Sequence, residues 1–206
     1  MSKRRVHVID DEEPIRRSSK LMLSVLGYEV ATFATGTAFI DSLAGLAPGA
    51  VLLDIRMPEI DGLEVQQILN ERGFGLPVVV MSGHGDLSLA VPAMRNGAIA
   101  FLEKPFPRER IQKALEIAFL MLEDEAGFAD YLQHVRGKLE RLGETERSVL
   151  ALLAAGRSND AIAEALGLSG GAIDVCRARM FGQLGIDSVT EALRLAYAGG
   201  LVSDTD

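Results

Sequence analysis

The chain has 206 residues, of which 48% are hydrophobic and 24% are charged, and its formal net charge is −8 at pH 7. That length allows one large or two modest domains, while the negative charge argues weakly against a nonspecific nucleic-acid binder. The single cysteine, Cys176, excludes an internal disulfide, and without a signal peptide or about 18 consecutive apolar residues we expect a cytoplasmic protein with no membrane span.

The first 124 residues alternate short apolar runs with amphipathic segments of helix length. The apolar runs predict strands at residues 6–9, 29–33, 50–54, 77–81 and 98–102. The segments between and after them predict helices at about residues 14–26, 37–44, 63–72, 87–96 and 107–124. This alternation predicts an α/β fold, a doubly wound five-stranded parallel sheet covered by helices on both faces.

A heptad pattern continues past the predicted sheet. Every position of a three-and-four spacing from residue 111 to residue 142 is apolar except Glu125. The pattern predicts that helical structure continues through this stretch. Glycine weakens a helix by roughly 1 kcal/mol relative to alanine, so we expect a hinge near Gly127. Two uses of this seam stay open. It forms a coiled coil with a second copy, or its first half packs on the sheet and its second half on the next domain.

The remaining residues predict a small all-α domain. Its helices are expected at about residues 145–155, 159–166, 170–184 and 189–198. We therefore divide the chain into an α/β domain at 1–124, a helical linker and possible coiled coil at 125–141, and a helical domain at 142–206. The last of these has a net charge of −4, and all five of its cationic residues are arginines.

Polar residues stand where the predicted strands end. Asp10 and Asp11 follow the first strand, Asp54 ends the third, Ser82 follows the fourth and Lys104 follows the fifth. The carboxyl ends of parallel strands meet at one edge of a sheet, so these side chains should converge. Converging carboxylates require a cation, and oxygen ligands suit Mg²⁺. Asp54 would then be a competent nucleophile toward a phosphoryl group, with Ser82 and Lys104 binding its oxygens.

Four ordered stretches, "VIDDEEPIRR", "LLDIRMPEIDG", "VVVMSGHGD" and "GAIAFLEKPF", resemble the receiver domain of two-component response regulators, close to the FixJ-type subfamily. The resemblance covers residues 4–124 and implies a flavodoxin-like fold in which a histidine kinase phosphorylates Asp54. It also implies Mg²⁺ bound by Asp10, Asp11, Asp54 and the backbone carbonyl of Arg56. Ser82 and Phe101 would be the switch residues.

In that family, phosphorylation draws the Ser82 loop inward and lets the aromatic side chain of Phe101 repack. The repacking would alter the surface around the fourth and fifth helices, where the heptad seam begins. We therefore expect phosphorylation to promote a homodimer through the receiver, the linker helix or both. We also expect the peptide bond between Lys104 and Pro105 to be cis, which would aim the lysine inward.

The C-terminal stretch "AGRSNDAIAEALGLSGGAIDVCRARMFGQLGIDSVTEALRLA" resembles the LuxR-type helix-turn-helix over about residues 142–201. The resemblance implies that helix 170–184 enters the major groove of promoter DNA. Mapped onto this sequence, the expected DNA contacts are Ala172, Asp174, Arg177, Arg179 and Arg157.

Several positions of this domain depart from the LuxR-type pattern in one direction. Asp160 stands where a basic residue is usual, and Gln183 stands where lysine is usual. Since basic side chains supply most DNA affinity, an alternative stays open in which the domain acts through protein contacts.

Together the two resemblances predict a phosphorylation-controlled transcription regulator that is not an enzyme. A phosphatase of the haloacid dehalogenase type also uses an aspartate nucleophile with Mg²⁺. In that family the nucleophile follows the first strand in an Asp-x-Asp motif, whereas Asp54 follows the third predicted strand. A hydrolase is therefore disfavoured.

Overall fold

The computed structural model describes residues 4–83 and 87–202, so His84 and the rest of the "HGD" end of one motif lie outside the described residues. Five parallel strands form one sheet in the order β2-β1-β3-β4-β5. The strands are β1 (Arg5–Ile9), β2 (Glu29–Phe33), β3 (Ala50–Asp54), β4 (Val78–Ser82) and β5 (Ala100–Glu103).

Ten α-helices accompany the sheet within the described part of the chain. The first five are α1 (Glu13–Val25), α2 (Gly36–Ser42), α3 (Gly62–Glu71), α4 (Ala90–Arg95) and α5 (Arg108–Glu123). The rest are α6 (Glu125–Glu140), α7 (Glu144–Ala154), α8 (Asn159–Leu166), α9 (Gly170–Leu184) and α10 (Val189–Ala198). Short 3₁₀ turns follow α2 and precede α4, so both helices are shorter than predicted. The predicted doubly wound α/β fold with a helical second unit is confirmed.

The sheet is buried on both faces, as its continuous apolar runs require. Along β3, Val51 and Leu53 join the hydrophobic cluster on the side of α3 and α4. Leu52, between them, joins the cluster formed with α1 and α5. This alternation follows from the two-residue period of a strand. In β3 both faces are apolar, and the polar residue, Asp54, stands at the end of the strand.

The helical stretch through residues 111–142 is interrupted close to the expected hinge, between the predicted helix at 107–124 and the predicted linker at 125–141. Its backbone breaks at Asp124 (φ −145°, ψ 84°), between α5 and α6. The Asp124 side chain accepts a hydrogen bond of 2.9 Å from the backbone N–H of Gly127 and caps α6. A Cβ at residue 127 would lie 2.4 Å from that carboxylate. The glycine near the expected hinge therefore serves the N-cap, and the break lies three residues earlier.

The two ends of the heptad seam are buried inside a single chain, whereas Met121 near its middle is exposed. Ile111, Ala114 and Ala118 belong to the core beneath the sheet. Val135 and Leu139, on α6, pack in the other cluster. A Cβ at Gly199, just past α10, would meet Leu139 Cδ1 at 2.3 Å, so α6 and the end of α10 are in close contact. In this conformation the first half of the seam packs on the sheet and the second half packs on the helical domain, which is the second of the two alternatives.

The helical unit docks on the sheet domain rather than standing apart from it. Helix α10 lies against α4 and β5, and one hydrophobic cluster runs from β3 and β4 into α7, α9 and α10. Two ion pairs border the contact. Arg110 pairs with Asp187, and Lys113 Nζ lies 3.1 Å from Glu191 Oε1. The basic partners belong to α5, and the acidic partners stand at the start of α10.

Across the described residues, no helix is both long and apolar enough to cross a membrane.

Candidate functional site

Three strand ends bring two carboxylates and an amine together at the edge of the sheet. Lys104 Nζ donates hydrogen bonds to Asp10 Oδ2 at 2.7 Å and to Asp54 Oδ1 at 2.5 Å. Asp10 follows β1, Asp54 ends β3 and Lys104 follows β5. Because β1 and β3 are neighbours in the sheet, Asp10 and Asp54 come together at the point where the strand order reverses.

The loop after β1 is fixed by its own hydrogen bonds. The backbone N–H of Glu12 donates to Asp10 Oδ1 at 2.9 Å. Arg16, on α1, donates to the carbonyl oxygens of Asp10 at 2.8 Å and of Asp11 at 2.7 Å. The Asp10 side chain is buried, whereas Asp11 is exposed. The acid pair is thus divided between the pocket and its rim.

Negative charge exceeds positive charge in this pocket. Burial raises the pKa of Asp54 above its ordinary value, and hydrogen bonds from Lys104 and from the Arg56 backbone offset this only in part. Burial alone would lower the pKa of Lys104, but its hydrogen bonds to Asp10 and Asp54 outweigh burial and raise it. The lysine is therefore a firm cation between two acids, and one negative charge remains unbalanced.

The donor chemistry of the pocket fits a hard divalent cation. Carboxylate and carbonyl oxygens are the ligands Mg²⁺ prefers, and a second cation would balance the surplus charge at Asp54. In the described ranges, however, no three acidic, histidine or cysteine side chains form a metal-binding group. The structure brings Asp10 and Asp54 together around Lys104, but it does not gather Asp11 into a three-carboxylate cluster.

The backbone around Asp54 is packed tightly against the start of α3. A Cβ at Gly62 would lie 2.4 Å from the carbonyl oxygen of Asp54 and 2.9 Å from Cα of Ile55. The Gly62 N–H also donates to the Ile55 carbonyl at 2.8 Å. Asp61 and Glu64 form a capping box that starts α3 at this point. The "DG" pair therefore sets the position of the loop after β3.

Ser82 and Phe101 connect the pocket to the docked helix α10. Ser82 ends β4 and is buried, and its carbonyl accepts a hydrogen bond of 2.7 Å from the Lys104 backbone N–H. Phe101, on β5, is also buried and lines a small cavity with Thr190 and Arg194 of α10. The expected switch aromatic thus lies directly beneath the contact between the two units. The Lys104–Pro105 peptide is cis, as predicted.

The predicted DNA-contact residues fall into two groups. Asp174 and Arg179 are exposed on α9, where Arg179 lies 3.3 Å from Glu146. Ala172 is half-buried, and its N–H is bound by the side chain of Ser169, the N-cap of α9. These positions lie on or beside the solvent-facing surface of the helix that is expected to enter DNA.

The second group is turned toward the sheet domain. Arg157 and Arg177 line a cleft with Val91, Pro92 and Arg95 of α4. Arg177 also donates to Asn159 Oδ1 at 3.3 Å. Docking therefore places two of the five predicted contacts against the sheet domain, where duplex DNA would compete with α4 for space.

Comparison with known families decides what this arrangement is. Residues 6–116 match the family described as "Response regulator receiver domain", and residues 140–196 match "Bacterial regulatory proteins, luxR family". The chain belongs to the response regulators. It is a phosphorylation-controlled transcription regulator with a receiver domain and a LuxR-type helix-turn-helix domain, as both resemblances predicted.

Relatives of this response regulator share both halves of it. The transcriptional regulatory protein FixJ of Bradyrhizobium diazoefficiens is 36% identical over 98% of this chain and 99% of its own length. FixJ of Rhizobium meliloti is 36% identical over 95% and 96%, respectively. The transcriptional regulatory protein TdiR of Thauera aromatica is 32% identical over 94% of this chain and 86% of its own.

Solved structures match one or both domains of this response regulator. Full-length FixJ from B. japonicum, 36% identical, covers 98% of this response regulator and all of that chain, with a TM-score of 0.59. A structure titled FixJ-N, 38% identical, covers only 56% of this chain and 93% of its own, yet reaches a TM-score of 0.54.

The basic residues that form ion pairs across the domain contact were not predicted from the sequence. Arg110 and Lys113 are three positions apart on α5, a spacing that puts both on one face of a helix. That spacing could have marked a basic edge. The acidic partners Asp187 and Glu191 lie more than seventy residues away in the sequence, so no local pattern could have paired them.

Proposed function

We propose that Asp54 is the phosphoacceptor of this response regulator and that a histidine kinase is the donor. A carboxylate oxygen of Asp54 attacks the phosphorus of a phosphohistidine, the P–N bond breaks, and an acyl phosphate forms. Lys104, already within hydrogen-bond distance of Asp54, supports the proposal because its ammonium group would meet the incoming phosphoryl oxygens. Ser82, buried at the neighbouring strand end, would supply a hydroxyl donor.

Mg²⁺ is the proposed cofactor, held by Asp10, Asp11, Asp54 and the backbone carbonyl of Arg56. When bound, it would neutralise the crowded negative charge of the carboxylates and of the phosphoryl group. The buried position of Asp10 and the raised pKa of Asp54 support this, since both acids need a positive partner beyond the one lysine. The exposed Asp11 would act from the rim of the pocket.

Phe101 is the proposed relay from the pocket to the helical domain. Drawing Ser82 toward a phosphoryl group on Asp54 would change the packing at the end of β4 and, next to it, of Phe101 on β5. Because Phe101 lines a cavity with Thr190 and Arg194, its movement would disturb the seat of α10. Undocking would then free Arg157 and Arg177, so that they could contact promoter DNA beside Arg179, Asp174 and Ala172, which already lie on or beside the solvent-facing surface.

Undocking would also uncover the surface formed by α4, β5 and α5. We propose that two phosphorylated chains pair through this surface, since it is apolar at its centre and carries the basic residues Arg110 and Lys113 at its edge. The dimer would place two helical domains on two half-sites of one cytoplasmic promoter. Docking and dimerisation would thus exclude each other.

One observation carries this proposal: the helical domain covers the relay residue and faces two of its own DNA-contact candidates toward the receiver. The test compares the wild type with Asp54→Asn after incubation with a small phosphodonor and Mg²⁺. We expect the wild type to take up phosphate and to bind a promoter fragment about tenfold more tightly, within the usual range of allosteric coupling. The variant should do neither.

Gel retardation at low salt provides the readout, and Asp41→Asn provides the matched control, because Asp41 is an exposed acid on α2. Phosphoryl uptake by the Asp54→Asn protein would refute the phosphoacceptor assignment. Phosphorylated wild type that retards no promoter fragment would instead support the alternative, in which the acidic helical domain acts through protein contacts.

A further inference from the structure

The cleft between α4 and the helical domain is unusually basic for so acidic a protein. Its lining includes three arginines, Arg95 from α4, Arg157 from the loop after α7 and Arg177 from α9, and no acidic residue. The chain as a whole has a net charge of −8. Three guanidinium groups on one cleft without a carboxylate among its lining residues create a local positive potential that favours anions.

The cleft has the size and the donors of a small-ligand site. Its volume is about 510 Å³, within the range typical of small-molecule pockets. Ser88 and Asn159 add a hydroxyl and an amide to the lining. Among the described residues, Arg177 Nε is buried without a hydrogen-bond partner, although Nη1 of the same group binds Asn159. An anionic oxygen would satisfy that remaining donor.

The walls of the cleft come from both domains and lie close together. A Cβ at Gly156, next to Arg157, would lie 3.6 Å from Cγ1 of Val91 on α4. Arg95 is exposed at the last turn of α4, whereas Arg157 and Arg177 belong to the helical domain. A ligand that touches all three arginines can therefore bind only while the domains are docked.

We propose that this cleft binds a small anion bearing a chain of phosphates, with the guanidinium groups of Arg95, Arg157 and Arg177 donating hydrogen bonds to it. The planar guanidinium fork matches the spacing of phosphate oxygens and can donate two hydrogen bonds to one group. A ligand that binds the docked form alone shifts the population toward it. The anion would therefore hold the regulator closed and occupy two arginines proposed to contact DNA, a consequence that rests on the proposed function.

Calorimetric titration of the unphosphorylated full-length protein with inorganic pyrophosphate tests the site itself. The buffer contains a chelator and no DNA or phosphodonor, so the result does not depend on whether Asp54 is phosphorylated. We expect saturable binding with one site per chain and at least a tenfold loss of affinity in Arg95→Gln. Arg72→Gln, which removes an exposed arginine of the same domain at the end of α3, should bind like the wild type.

Two further titrations identify the chemical class of the ligand. Adenosine diphosphate that binds more tightly than pyrophosphate would identify a nucleotide, and equal affinity would identify the phosphate chain as the whole ligand. Either result supports the site. Sodium chloride at matched ionic strength that suppresses all binding heat, or an Arg95→Gln variant that binds pyrophosphate like the wild type, would overturn the proposal.

Discussion

At the scale of single residues, the proposed phosphoacceptor pocket is a problem of charge balance. Lys104 binds Asp10 and Asp54 at once, yet burial still raises the pKa of Asp54. Burying a carboxylate costs free energy when the lysine that pairs with it is shared with a second carboxylate. The cost is smaller for a neutral side chain of the same shape. Without a bound cation, the ionised Asp54 therefore lowers the stability of the folded protein, although its hydrogen bond to Lys104 is short.

This imbalance predicts that Asp54→Asn stabilises the metal-free protein. Above the raised pKa of Asp54, the wild type carries the full penalty of a buried carboxylate, and the variant does not. As pH falls through that raised value toward the ordinary 3.8, the penalty disappears in the wild type and the two proteins converge. Thermal unfolding with a chelator at several pH values measures the difference.

Magnesium should reverse the ranking. At about 100 times its dissociation constant, a ligand of the folded state adds about 2.7 kcal/mol to the free energy of unfolding, and the variant lacks one of the proposed metal ligands. Asp41→Asn should show the wild-type response to both pH and Mg²⁺. Equal melting temperatures for the wild type and Asp54→Asn in chelator would contradict this account of the pocket.

At the scale of secondary-structure elements, the sequence predicted the strands well because each is a short apolar run. The predicted strands at 29–33 and 50–54 match β2 and β3, and the other three shift by one or two residues. The break between α5 and α6 lies three residues before the expected hinge, and the reason is physical. Heptad spacing indicates which side chains are buried, and the two ends of the seam are buried, but it does not indicate whether the backbone is continuous. Asp124, three residues before Gly127, was the local signal of an N-cap.

The pocket residues were predictable because each stands at the carboxyl end of a strand, and a parallel sheet sends all those ends to one edge. Their pairing was not. The sequence placed Asp10 and Asp11 together as equals, whereas α1 and its Arg16 hold the loop so that one carboxylate is buried and the other exposed. That division depends on the loop conformation, which the residue pattern does not determine.

Gly62 offers a test of how the β3–α3 connection positions the phosphoacceptor. In Gly62→Ala, the added methyl group would meet the Asp54 carbonyl at 2.4 Å, and such overpacking typically costs about 1–3 kcal/mol. The backbone must move, so we expect a lower melting temperature and slower phosphoryl uptake. Gly75→Ala, where a Cβ meets nothing within 4 Å, should change neither. Normal uptake kinetics in Gly62→Ala would show that the pocket tolerates displacement of this loop.

At the scale of the whole molecule, the docked arrangement is what the sequence could not supply. Each domain has its own pattern, but the contact between them joins α10 to α4 and β5 through apolar side chains and two ion pairs. Such long-range pairs leave no periodic signature. Phe101 is buried and lines a cavity with Thr190 and Arg194 of α10, so the proposed signal at β4 and β5 would reach the helical domain without any intervening element.

The two ion pairs predict how the closed form can be opened without phosphorylation. The double variant Arg110→Glu with Lys113→Glu would place like charges opposite Asp187 and Glu191. Exposed ion pairs contribute about 0.2–1 kcal/mol each, and like charges in the same places repel by similar amounts. Reversing both should therefore shift the equilibrium toward the open form by about 1–3 kcal/mol, or about 5- to 150-fold.

Small-angle scattering of the unphosphorylated variant should then give a larger radius of gyration, and its affinity for promoter fragments should rise. Adding Asp187→Arg and Glu191→Lys restores opposite charges and should restore both the compact form and the weak binding. This fourfold variant is the decisive control, because recovery requires the two pairs to face each other across the domain contact. A double variant as compact as the wild type would mean that apolar packing of α10 alone keeps the regulator closed.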